Sequence, residues 1–315
     1  MVKETFGPLH QDVVATVFRD CTGRMPTTEE FDWLKTNSNC ESPTSGWFGI
    51  APDWTPGKKL FVIYCACHSI PMIIFWKRWS HLLSQYNWIA VFGYQLKAGL
   101  PDALGSMFLN MFERADVVVY TPMFRNQEFD PFTLRKKYER PGHFWVGFHS
   151  PSFEALWPIC LGFGDEHIRE LLRAGVSRDE IKRRISACTL DCHLPQRFTE
   201  SVVRLRAKDD EVEIGFADFF LRRYKNHRMF FTHNHPSFSL VAYLCMRIEK
   251  SIAGVPTELT PLEENFCLHG LPLNPSEMLP LLPDHPIVRN ELGIAFADSI
   301  QSPQFYERLV DQVVL

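Results

Sequence analysis

The chain has 315 residues, and Lys+Arg 33 against Asp+Glu 37 leaves a formal net charge of −4, which argues against a protein that neutralises a long phosphate backbone. A hydrophobic share of 45% against a charged share of 22%, with Phe 26 and Trp 8 to fill a core, excludes disorder as the main state. Length alone allows one large domain or two ordinary ones.

At the N-terminus, MVKETFGPLHQD has no continuous apolar run and no small-residue cleavage pattern, so no secretory signal is read there. Thr27-Thr28-Glu29-Glu30 offers a capping box, with Phe31 and Leu34 following at helical spacing. Asn37 to Gly57, rich in Ser, Pro, Asn and Gly, reads as a long loop. From Lys58 the pattern changes to short β-rich runs: Leu60–Tyr64, Trp88–Phe92, Asp116–Tyr120 and Phe144–Phe148. Unbroken apolar runs separated by crossovers of a dozen or more residues predict parallel strands buried on both faces, hence a small Rossmann-like sheet. The most apolar stretch, Leu60 to Trp76, contains His68 and Pro71 and reads as a strand running into a helix, not a membrane span.

Asp165 to Arg228 holds 14 basic and 12 acidic residues in 64 positions, with hydrophobics at helical spacing, and predicts solvated helices. A helix ends near Gly175 and another is capped by Ser177 with Glu180 three residues on. This helix-turn-helix outline is too common a corner to argue for DNA in an acidic chain, and no nucleic-acid partner is expected. Met229–Thr232 reads as another short strand, and Pro236 to Lys250 as a helix with Val241, Leu244, Cys245 and Ile248 on its apolar face. The expected organisation is α/β and principally helical: one compact domain over 1–315, with an α/β core in 58–150 plus 229–250, a helical insertion in 151–228 and a Pro- and Leu-rich tail in 251–315. Nine cysteines, odd in number, read as reduced thiols, and a cytoplasmic location follows.

Three strand-to-helix junctions carry the polar chemistry. Cys65-Ala66-Cys67-His68-Ser69 places a thiol and an imidazole where a helix N-terminus lowers a thiol pKa or cradles an anion; a buried Cys pair and a backbone-bonded His is the plainer alternative. Thr232-His233-Asn234-His235-Pro236 offers two imidazoles and an Asn, one imidazole as general base, or else a capping Asn among surface histidines. Phe148-His149-Ser150-Pro151 repeats the grammar, so that three strands are expected to deliver His to one edge of one sheet. Cys65, Cys67, His68, His233 and His235, and Cys188, Cys192 and His193, include ligand types suited to zinc, but C-x-C against H-x-H is not the spacing of structural zinc sites, and no metal is expected. No phosphate-binding loop, dinucleotide fingerprint or G-x-S-x-G is present.

The turn at Cys65 to Ser69, the ADVVVY strand around Asp116, the FFTHNHPSF segment at Phe230 to Phe238 and the Pro-rich tail resemble the WcbI family of bacterial capsular-polysaccharide biosynthesis proteins. Where members often carry Gly-Asn-Cys-Gln at the first turn, this chain has Cys65-Ala66-Cys67-His68 and keeps only Cys67, while Asn-His-Pro matches Asn234, His235 and Pro236. The resemblance implies a coenzyme A-dependent acetyltransferase that takes acetyl-CoA and acetylates a hydroxyl of a deoxyheptose in a capsule repeat, on an SGNH-like α/β sheet with large helical additions. It implies His235, Cys67, His68 and Asn234 as catalytic residues. It further implies Cys67, His68, Ser69, Gly93, His149, Ser150 and His233 as coenzyme contacts, with Gly93 lending an oxyanion-hole N–H by analogy of fold. Lys77, Arg78, Lys225, His227 and Arg228 are candidate phosphate partners. An SGNH-type esterase, or a non-catalytic coenzyme A-binding scaffold working with other capsule proteins, are the alternatives.

Overall fold

The computed structural model describes residues 11–37, 48–93, 105–123, 129–157, 164–271, 286–295 and 303–313. The chain divides into two compact units: Met1–Ser150 with Val212–Ile214 and Val241–Thr260, and Pro151–Glu211 with Gly215–Leu240 and Pro261–Leu315.

The first unit opens with α1 (Gln11–Thr22) and α2 (Thr28–Asn37). The capping box forms as expected: the Thr27 hydroxyl accepts from the Glu30 amide at 3.2 Å and the Glu30 carboxylate accepts from the Thr27 amide at 2.7 Å. The stretch expected as loop hides a strand, β1 (Phe48–Ile50), too short to announce itself by alternation. Then come β2 (Leu60–Cys65), α3 (Ser69–Arg78), β3 (Asn87–Phe92), α4 (Gly105–Arg114), β4 (Val117–Tyr120), α5 (Pro131–Tyr138) and β5 (Phe144–Gly147). The sheet order is β1-β3-β2-β4-β5, with β3, β2, β4 and β5 parallel and β1 antiparallel to β3, so the sheet is mixed where a purely parallel one was expected.

Every residue of β2, β3 and β4 is buried, which is why these runs read as continuous rather than alternating hydrophobics. On one face Val62, Tyr64, Ile89, Val91 and Val118 share a core with Val14, Val17 and Phe18 of α1 and Phe108, Met111 and Phe112 of α4. Tyr64 packs edge-on against Phe108 and Phe112 at 5.8 and 5.4 Å between ring centroids. On the other face Phe61 meets Trp76 of α3 at 5.5 Å. Such pairs add roughly 0.5–1.5 kcal/mol each beyond area burial. Strand order reverses between β2 and β4, and ligands of open α/β sheets are received outside the carboxyl ends of the strands at such a reversal.

The second unit is built from α6 (Gly164–Arg173), α7 (Arg178–Ser186), α8 (Leu194–Asp209), α9 (Ala217–Arg223), α11 (Pro261–His269), α12 (Pro286–Leu292) and α13 (Pro303–Gln312). The α6–α7 corner is made as predicted: Gly175 takes φ +84°, and the Ser177 hydroxyl accepts from the Glu180 amide at 3.2 Å. Its second helix serves tertiary packing, with Arg178 donating to the Val310 and Val313 carbonyls of the α13 end and Lys182 paired to Asp311 at 2.6 Å. The strand expected at Met229–Thr232 is β6 (Phe230–Thr232), but it joins no long sheet. It pairs antiparallel with β7 (His235–Pro236) as a tight hairpin, and α10 (Phe238–Ile252) starts only at Phe238. Pro236 therefore sits in an extended strand and not in a first helical turn. Among the described residues no helix is long and apolar enough to cross a membrane.

Candidate functional site

The turn after β2 is tight and largely satisfied from within. The Ser69 amide and hydroxyl both donate to the Ala66 carbonyl, at 3.2 and 2.9 Å, and the Ile70 amide donates to the Cys67 carbonyl at 3.3 Å. Ser69 is fully buried, so its hydroxyl and N–H close the turn, in place of the expected contact with an anion. His68 is buried at the N-cap of α3 with helical dihedrals and no side-chain cap. Burial raises the Cys67 thiol above its ordinary range, only partly countered by a hydrogen bond from its own amide. Burial thus moves this thiol in the direction opposite to the lowering expected at a helix N-terminus. Cys65 is wholly buried and pushed up further by the same cause.

Gly93 follows β3 directly and is buried; a Cβ there would stand 2.3 Å from the end of the flexible Met123 side chain, which would have to shift to admit it. Lys77 and Arg78 lie over the Trp88 and Trp79 rings at 6.0 and 5.8 Å, at the far end of α3. At 1.5 Å rise per residue that is roughly 12 Å along the helix from Ser69, too far to serve the turn. Thr121, unremarked in the sequence, lies just past β4 beside the strand-order reversal, fully buried, its amide donating to the Tyr64 carbonyl at 3.1 Å. His149 is buried after β5, its Nδ1 3.1 Å from the Ser150 carbonyl. No helix follows Pro151 directly; the next element is one turn of 3-10 helix at Glu154–Leu156.

Thus two of the three histidine junctions end strands of the five-stranded sheet, while the third is the tip of the separate β6–β7 hairpin. That hairpin carries a short polar chain. The Thr232 hydroxyl donates to Asn234 Oδ1 at 3.0 Å and lies 2.6 Å from His235 Nδ1. A hydroxyl owns one proton; with that proton on the bond to Asn234, Thr232 Oγ accepts from His235 Nδ1–H. In that arrangement the imidazole carries its proton on Nδ1 and Nε2 is left as the acceptor. Burial, then the neighbouring His233, hold His235 below the usual imidazole range, and burial does the same to His233 against the opposing pull of Glu154. A neutral imidazole with one nitrogen tethered and the other available is equipped to take a proton near neutral pH.

Among the described residues no group of three or more His, Cys, Asp or Glu is arranged to hold a metal ion. Cys188 and His193 both take left-handed backbone conformations, at φ 55° and 49°; His193 pairs with Asp191 and stacks edge-on with His167. Arg228 is buried, and the Lys225 carbonyl accepts from the Ala295 amide.

Residues 144–256 match the family model described as the polysaccharide biosynthesis enzyme WcbI. A solved structure described as WcbI, a novel polysaccharide biosynthesis enzyme, in a native form without a disulfide bond between coenzyme A and one of its cysteines, aligns with a TM-score of 0.62 at 13% identity. The match covers 81% of this chain and 90% of that one, and at this identity it shows the shared fold. No curated relative matches the chain. The segment 144–256, which holds β5, α8 and the Thr232–Asn234–His235 hairpin, is thus the part of the chain that matches the WcbI family of polysaccharide biosynthesis enzymes, and the solved WcbI structure shares its fold.

Proposed function

We propose that the protein is a coenzyme A-dependent O-acetyltransferase acting on a sugar hydroxyl of a capsular polysaccharide, of the deoxyheptose kind that the family resemblance implies. The observation that carries this reading is the hairpin relay, in which Thr232 and Asn234 orient His235, inside the segment matched to the family. The related protein's description names coenzyme A beside a cysteine, in a form without a disulfide bond between them, and Cys67 is the position that the motif resemblance matches to the family's first turn.

In the proposed reaction the sugar oxygen attacks the thioester carbonyl of acetyl-CoA while its proton passes to His235 Nε2. Collapse of the tetrahedral adduct breaks the carbon–sulfur bond, the departing thiolate recovers the proton, and the products are the acetyl ester and coenzyme A. General-base help of this kind contributes about 10²- to 10⁴-fold. Direct attack is favoured over an acyl-cysteine because burial keeps Cys67 in its weakly nucleophilic thiol form.

Two measurements test the proposal. Thermal unfolding with coenzyme A at about 100 times its dissociation constant should show a stabilisation of roughly 2.7 kcal/mol. Acetyl-CoA and a sugar acceptor should release free coenzyme A thiol together with an equal amount of acetyl ester. No thermal shift with either coenzyme form overturns the reading, and acetate in place of ester points to the esterase.

A further inference from the structure

A cleft of about 280 Å³ opens in the second unit between α8 and the loop running into the Glu154–Leu156 turn. Its size lies at the lower edge of the roughly 300–1,000 Å³ typical of small-molecule pockets, room for a monosaccharide-sized group and not for an oligosaccharide. From α8 come Ser201, Arg204 and Lys208, at positions i, i+3 and i+7 on one helix face; from the loop come Ser152, Phe153 and Glu154. Arg204 donates to the Ser201 hydroxyl at 3.1 Å, which lays the guanidinium along the helix beside the serine.

The lining holds two cations, one carboxylate, two hydroxyls, one aromatic ring and the aliphatic Leu205, a local charge of about +1. That balance discriminates between ligands. A neutral sugar draws nothing from an Arg–Lys pair, while coenzyme A, with a diphosphate and a 3′-phosphate, meets too few cations and one repelling carboxylate. One phosphate on a polyol satisfies every group: guanidinium and ammonium take the phosphate oxygens, and Glu154 and the serines take sugar hydroxyls.

The same loop is bonded to the hairpin that carries the proposed base. The Phe153 amide donates to the His233 carbonyl at 2.8 Å, and the Glu154 charge acts on the His233 imidazole. We propose that this cleft is an acceptor site for a phosphorylated sugar, held by Arg204, Lys208, Ser201, Ser152 and Glu154. The assignment of the phosphorylated sugar as acetyl acceptor rests on the transferase reading above. It narrows the acceptor from a sugar within the polysaccharide to that sugar's phosphorylated precursor: a sugar-phosphorylating or sugar-activating reaction supplies the substrate, and a glycosyl transfer carries the acetylated product into the polymer.

The test is calorimetric titration of the full chain with glucose 1-phosphate, glucose, inorganic phosphate and coenzyme A, on wild type and on Arg204→Gln, Lys208→Gln and the double variant. Both side chains are exposed, so the variants should keep the wild-type unfolding temperature. Glucose 1-phosphate should bind wild type more tightly than either glucose or inorganic phosphate. The double variant should weaken it by about tenfold or more, with coenzyme A affinity unchanged within about twofold. No glucose 1-phosphate binding, equal binding of inorganic phosphate, or a matching loss of coenzyme A affinity in the double variant each overturns the acceptor site. If wild type ignores coenzyme A yet binds glucose 1-phosphate through Arg204 and Lys208, the transferase reading falls and the sugar-phosphate cleft stands.

Discussion

The turn after β2 and the β6–β7 hairpin look alike as strings, each a short polar run of Cys, His or Asn after an apolar strand, and burial acts on both. Its consequences are opposite. Burial disfavours the charged form of any group, so it favours the protonated Cys67 thiol and the neutral His235 imidazole, and only the latter is the form that accepts a proton. The two regions also spend their hydrogen bonds differently. In the turn, Ser69 closes its donors onto Ala66, whereas in the hairpin a threonine and an asparagine fix one nitrogen of His235 and leave the other to act.

The contrast breaks most decisively at His235. His235→Ala should lower the acetyl-transfer rate by about 10²- to 10⁴-fold while the unfolding temperature changes little, since the side chain is only part-buried. An unchanged rate would make the hairpin as structural as the turn. Thr232→Val removes the relay without removing the base and should cost about tenfold in kcat, the size of one lost hydrogen bond that holds the tautomer; its acid limb should also move, which a purely packing role would not produce.

Acid sharpens the comparison further. His233, His235, His227, His167 and His143 are all held below the ordinary imidazole value of 6.5 in the folded protein. Between those lowered values and 6.5 the unfolded chain binds more protons than the folded one. The histidine contribution to stability should therefore be flat above about pH 6.5 and fall as pH drops below it. Between about pH 7 and 4.5 it is opposed by Glu249, whose carboxyl burial raises to about 7, an opposition that Glu249→Gln removes. Chemical denaturation of wild type and that variant across pH reads both, and transfer activity should keep its plateau to lower pH than a free imidazole allows. The smallest effect belongs to Cys67: Cys67→Ala should leave kcat within about threefold, and the wild-type thiol should react with iodoacetamide at pH 7.5 more slowly than a free cysteine. A collapse of activity in that variant would restore the acyl-cysteine route.

Much of the architecture was legible because burial on both faces leaves a plain trace: the runs at Leu60, Trp88, Val117 and Phe144 are strands in the parallel order that their spacing implies. Caps at Thr27 and Ser177 were equally readable, since a side-chain oxygen and an amide three residues on are a local matter. The misreadings are non-local. The edge strand at Phe48–Ile50 exists because β3 lends it partners, and Phe230–Thr232 became half of a hairpin because Pro236, two residues after the turn, pairs back with Phe230.

The amino-acid order by itself determined the helical and strand content, the family motif at Asn234-His235-Pro236 and the position of the imidazoles at strand ends, because each depends on residues within a few positions of one another. Only the tertiary structure decided that Cys67 is a suppressed thiol, that Ser69 serves its own turn, and that Arg204 and Lys208 share a cleft with Glu154. Those outcomes hang on desolvation and on which distant groups meet, and neither quantity is carried by spacing along the chain.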